Sequence, residues 1–183
     1  MQPETYILLH RMLEAATTRD ELEIVLRRFQ EVIYAHKDST DQSDLFDAAW
    51  AASCAAGLYL RLNEFFLAER TYMEAIKLFD KNNMAANSAV LSITLAEIFL
   101  RQGRFTEAET QLKENIKYTA KYWGEPSHYV NSAKEELRHF QQTGEIIEAI
   151  NHIWCKPCGV DKYSVGFDEE TMHAPEVDDI WPQ

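Results

Sequence analysis

Little in this chain bends, breaks or staples a backbone: 183 residues hold six glycines, five prolines and three cysteines. The glycines are scattered singly, so no glycine-rich loop is available to cradle a phosphate. HExxH and GxSxG are both missing, and with them the usual metalloprotease and nucleophile-elbow chemistries. An odd and small number of cysteines excludes the disulfide scaffold of a small secreted protein. No apolar run approaches the roughly 20 residues that a membrane-crossing helix needs. The opening Met1-Gln2-Pro3-Glu4 lacks the basic start of a secretory leader, so the expected location is cytoplasmic. Positive charge is scarce too: 18 Lys and Arg stand against 30 Asp and Glu, a net charge of −12. Binding to nucleic acid is driven by neutralising phosphates, and this balance opposes it. The expectation is a protein without enzymatic activity, resident cofactor, nucleic-acid partner or membrane partner.

What remains is a soluble composition, 46% hydrophobic and 26% charged, rich in Ala, Leu and Glu, which favours long helices. The stretch from Ala49 to Tyr122 contains a repeat. Ala56, Tyr59, Asn63, Phe65, Ala68, Tyr72 and Ala75 fall at offsets 0, 3, 7, 9, 12, 16 and 19. Ala96, Phe99, Gly103, Phe105, Ala108, Leu112 and Asn115 fall at the same offsets. Small residues at those places let two helix backbones approach closely, and large ones fill the space between one helix pair and the next. No single pair buries its apolar face alone, so the pairs must stack. Gly103 accepts the positive φ of a tight inter-helix turn, and Asn63 is the next-best residue for it.

This small–aromatic–turn–aromatic–small–large–small pattern resembles the tetratricopeptide repeat (TPR). Setting the turns at Asp20, Asn63, Gly103 and Gly144 spaces them by 43, 40 and 41 residues, more than the common period of about 34. The longer spacing, and the linker Tyr122-Trp123-Gly124-Glu125-Pro126-Ser127-His128, resemble the long-helix, kinesin-light-chain type. The implied fold is all-α, a right-handed α-solenoid of antiparallel helix pairs over residues 1–158, followed by an irregular acidic tail.

The pairs are expected at about 5–36, 44–80, 85–122 and 126–154, with helices over 44–62, 65–80, 85–101, 106–122, 126–142 and 145–154. Thr18 and Glu21 form a capping box at the start of the second helix. Residues 159–183 hold seven acids against Lys162 and two prolines without apolar periodicity, which reads as an extended or partly disordered tail.

In a TPR array the first helix of each pair lines a concave face. Helical counting puts Trp50, Ser53, Gly57, Leu60 and Arg61 there, then Val90, Ile93, Glu97, Leu100 and Arg101, then Asn131, Lys134, Arg138 and Gln141. The first two sets are mainly apolar and the third polar and basic, so the expected partner is a protein or peptide segment with an apolar stretch and an acidic end. The chain's own Glu176–Trp181 matches that description and is a candidate gate over the groove. Trp50 and Leu60 are equally placed to be covered by the N-terminal pair. Self-association through the ends of the array is a further reading.

One other motif carries chemistry. Trp154-Cys155-Lys156-Pro157-Cys158 is similar to a thioredoxin active site, but a helix precedes it where a strand is required. His152, Cys155, Cys158 and His173 form an alternative four-ligand set for zinc, either structural or supporting a thiol site. The favoured reading is a helix end with incidental thiols. Cys54, among small residues, reads as a buried free thiol. Adjacent acids such as Glu135-Glu136 point apart on a helix and read as solvating charge, and His10, His36, His128 and His139 as surface or packing residues.

Overall fold

The computed structural model describes residues 3–146, and every regular element among them is a helix. They are α1 (Pro3–Ala15), α2 (Arg19–His36), α3 (Gln42–Arg61), α4 (Phe65–Lys81), α5 (Ala85–Arg101), α6 (Phe105–Trp123) and α7 (His128–Thr143). Each helix packs on its neighbours in the chain, so the molecule is a TPR-like solenoid. The expected helix at 145–154 and the tail at 159–183 fall outside the described residues apart from Glu145 and Ile146.

Local chemistry explains the breaks. After α3, α4 and α5 the chain turns through a left-handed residue: Asn63 (φ 61), Asn83 (φ 58) and Gly103 (φ 70). At each turn the next N–H reaches back to a carbonyl of the last helical turn: Glu64 to Tyr59 at 2.8 Å, Met84 to Phe79 at 2.8 Å, and Arg104 to Phe99 at 2.9 Å. This is the Schellman arrangement, which satisfies carbonyls that a helix end leaves open. Helices α4, α5 and α6 have no side-chain N-cap, because the turn itself redirects the chain. Where the connection is longer a side chain does the capping: Thr18 for α2, Asp41 for α3 and Ser127 for α7.

The Thr18–Glu21 capping box forms as expected, and it corrects the position of the first turn. Asp20 lies inside the first turn of α2, since the box starts that helix at Arg19. Pro126 is likewise not in the first turn of a helix; it precedes the N-cap Ser127.

The alanines at the repeat positions sit in the crossings. Ala56, Ala68, Ala75, Ala96 and Ala108 are all inaccessible to solvent. Tyr72, Phe99 and Leu112 are buried among them, whereas Phe65 and Phe105, expected to fill gaps between pairs, are exposed, Phe105 to 54%. Asn115 takes a small-residue position by turning its amide onto the Ala89 carbonyl at 2.8 Å. Helix α3 serves two cores with opposite faces. Trp50, Ala51, Cys54, Ala55 and Leu58 pack with α1 and α2; Ala48, Ala49, Ala52 and Ala56 pack towards α4 and α5. Cys54 is a buried free thiol, as expected. Glu136 is only 1% exposed, so it is not solvating charge; its neighbour Glu135 is, on the surface beside Arg138.

Candidate protein-binding face

Helix α5 is buried around most of its circumference, yet Asn87, Val90, Ile93, Glu97 and Leu100 remain half-buried. They recur every three or four residues and so form one stripe. On α7 the corresponding stripe, Asn131, Lys134, Arg138 and Gln141, is exposed. The half-buried stripe on α5 is thus mainly apolar and the exposed stripe on α7 is polar.

The same register on α3 has another fate. Trp50 is 7% exposed, with its ring edge-on to Phe29 of α2 at 5.4 Å between centroids. Ser53 is buried and turns its hydroxyl onto the Ala49 carbonyl at 3.2 Å, and Gly57 is buried as well. Ser53 and Gly57 are thus interior and not groove-lining, and of the two readings of Trp50 the covered one holds, since the N-terminal pair packs on it. Leu60 stays half-buried. Arg61 projects further and donates to the carbonyls of Leu13, at 3.1 Å, and Ala16. A cation on the last carbonyls of α1 also meets the negative end of that helix's dipole.

Charges on the remaining face are matched locally. Arg101 pairs with Glu97 one turn away, Lys134 with Glu125 at 2.8 Å, and Arg138 with Glu135. Gln141 donates to Glu109 at 2.7 Å. That bond, helped by Lys113, holds the Glu109 carboxyl below the usual carboxylate range. These surface pairs are worth little in stability. Beside the stripe, Phe105, Thr106, Glu109, Phe140, Gln141 and Gly144 line an open cleft of about 280 Å³.

Two features escaped sequence reading. Arg104 grips Glu69 of the preceding pair at 2.6 Å and lies 4.3 Å over the Phe99 ring; chiefly through Glu69, its guanidinium is held above its ordinary value. His36, Asp44 and Asp47 converge where α2 meets α3. No short motif announces either, since each joins residues through packing. His152, Cys155, Cys158 and His173 lie outside the described residues, as does the acidic tail with Glu176–Trp181. No described helix is long and apolar enough to cross a membrane.

A family model for the MalT-like TPR region matches residues 5–153. Comparison with curated proteins and with solved structures returns no match. Helical repeats of this kind typically mediate protein–protein interaction and are typically not enzymes. By its repeated turns, its buried alanines and the extent of that match, the chain belongs to the MalT-like TPR family.

Proposed function

We propose that this protein is an adaptor that holds a peptide or partner-protein segment along the face made by α5 and α7. The observation that carries the reading is the half-buried apolar stripe Val90, Ile93 and Leu100 of α5, together with the exposed Asn131, Lys134 and Arg138 of α7. Rigid helices hold these side chains in place before a partner arrives, so little ordering entropy opposes binding. Val90 and Ile93 anchor an apolar stretch. Lys134 and Arg138 set its direction by taking an acidic end from Glu125 and Glu135, and Glu97 with Arg101 marks the polar border. Leu60 and Arg61 form the near edge of this face. No bound cofactor is needed for this work.

The C-terminal segment Glu176–Trp181 competes for the same cations as a tethered ligand, whose local concentration reaches roughly the millimolar range. A set of labelled peptides, each an apolar stretch ending in two acids, tests the reading by fluorescence anisotropy. Binding should weaken by about tenfold or more in Ile93→Arg. It should weaken less, and in a salt-dependent way, in Lys134→Glu/Arg138→Glu. Deleting residues 174–183 should tighten it and raise amide exchange along α5 and α7 in the free protein. Peptides that bind Ile93→Arg as well as the parent would remove the face from consideration. An unchanged exchange pattern after the deletion would remove the gate alone.

A further inference from the structure

The connection between α2 and α3 gathers three side chains with metal-ligating chemistry. His36 closes the last turn of α2, Asp44 lies in the first turn of α3, and Asp47 follows one turn later. One potential donor atom from each lies within 4.8 Å of the other two, and His36 Nδ1 is 3.2 Å from Asp44 Oδ1. Ligand atoms about 2.0–2.2 Å from a zinc ion sit roughly 3–3.5 Å apart. One edge of the triangle thus already has that length, and the others are no longer than 4.8 Å.

Three further observations make this more than a chance meeting of charges. The Ser39 hydroxyl lies 2.9 Å from Asp44 Oδ2, which leaves Oδ1 towards His36, as an outer-shell group orients a ligating carboxylate. The loop is braced from α4 and the turn after it: Lys81 Nζ donates to the Ser39 carbonyl at 3.3 Å and Asn82 Nδ2 to the Gln42 carbonyl at 2.9 Å. The triangle is also graded in burial. Asp47 is 6% exposed, while His36 and Asp44 are half-exposed, so an ion would have a protein floor and an open side for water.

We infer that His36, Asp44 and Asp47 bind one divalent transition-metal ion of the zinc class, pinning the end of α2 to the start of α3. An imidazole with two carboxylates suits such an ion better than magnesium or calcium, which take oxygen donors alone. Two carboxylates neutralise the charge of the ion, which lies between the carbonyl end of α2 and the N-terminus of α3, where the two helix dipoles oppose one another. An imidazole nitrogen ligates only in its unprotonated form, so the ring nitrogen that faces Asp44 carries no proton in the complex. The ion would fix the seating of the N-terminal pair on α3, the same contact that buries Trp50. This departs from the expectation of a protein without cofactors, and it uses none of the residues of the proposed binding face.

The test is calorimetric titration of the full chain with ZnCl2, in a His152→Gln/Cys155→Ser/Cys158→Ser/His173→Gln background that removes the other candidate ligands. One equivalent should bind with a micromolar or tighter Kd and raise Tm. Both effects should fall by about tenfold or more in His36→Gln and in Asp44→Asn, and persist in Asp41→Asn, which keeps the α3 cap but lies outside the triangle. A second measurement needs no substitution at the site: Co2+ should broaden the ring proton signals of His36 before those of His10, His128 and His139. No saturable heat up to about 1 mM Zn2+, binding equal in parent and His36→Gln, or broadening confined to the other histidines would each overturn the inference.

Discussion

Helices α3 and α5 are the first helices of successive repeats, and a shift of 40 residues superimposes their sequences in register, Ala56 on Ala96. In that register Trp50 corresponds to Val90, Ser53 to Ile93, Gly57 to Glu97 and Arg61 to Arg101. The pairs nonetheless do different work. Trp50 is interior and meets Phe29, while Val90 keeps part of its surface. Arg61 reaches across to close the end of α1, while Arg101 folds back on Glu97 of its own helix. Equivalent positions in a repeat therefore do not have equivalent environments. A position's role depends on what the preceding pair places over it, and the first pair, with its larger residues, covers more than the others do.

The sharpest way to break this contrast is to truncate matched side chains. Trp50→Ala should cost about 3–5 kcal/mol, because it empties a packed site between α2 and α3. Val90→Ala should cost about 1 kcal/mol or less, since the residue is smaller and part of its surface is already in water. Urea unfolding of the two variants gives the comparison directly, and equal losses would mean that the N-terminal pair does not cover α3. Next in size is the arginine pair. Arg61→Ala leaves the last carbonyls of α1 without their donor and should cost about 1 kcal/mol, with faster amide exchange in α1 and little change in α5. Arg101→Ala removes a surface pair and should stay within about 0.5 kcal/mol. Arginines of equal effect would place both in the same kind of environment.

The smallest effect concerns acid. Glu21 accepts from the backbone N–H of Thr18 and of Thr17, each at 2.9 Å, and these bonds to its charged form lower its pKa from 4.5 to about 2. A depressed carboxyl contributes its stabilisation above the unfolded pKa and loses it as pH falls through the folded one. The start of α2 should therefore loosen progressively between about pH 4.5 and 2, a loss that Glu21→Gln should largely remove. Carboxyl chemical shifts followed against pH would check the titration, and Trp50 fluorescence would report whether the cover over α3 loosens with it.

Much of the helical framework was legible before any coordinates. The limits of α4 and α5 differ from the sequence expectation by at most one residue. Their ends are written in adjacent residues: an Asn or Gly able to take positive φ, followed by an apolar run at helical spacing. The capping box at Thr18 was legible for the same reason. The misplaced features all needed information from elsewhere in the chain. Asp20 was assigned to a turn because repeat spacing was extended into a pair whose own cap starts the helix earlier. Analogy of position places Phe65 and Phe105 in gaps, although both are exposed in the fold. Adjacency makes Glu136 read as surface charge like Glu135, yet neighbours on a helix are about 100° apart and only the side of α7 that carries Glu136 is packed.

On the proposed binding face, spacing defines one stripe per helix, because residues three and four apart share a side. Spacing could not say which stripes stay open. Accessibility depends on the bulk and tilt of the neighbouring pair, so Trp50 and Val90 part company only when the helices are assembled. The same holds for His36 with Asp44 and Asp47, and for Arg104 with Glu69. Each set joins residues from different helices whose meeting is settled by packing, a property of the whole array that no single window of sequence contains.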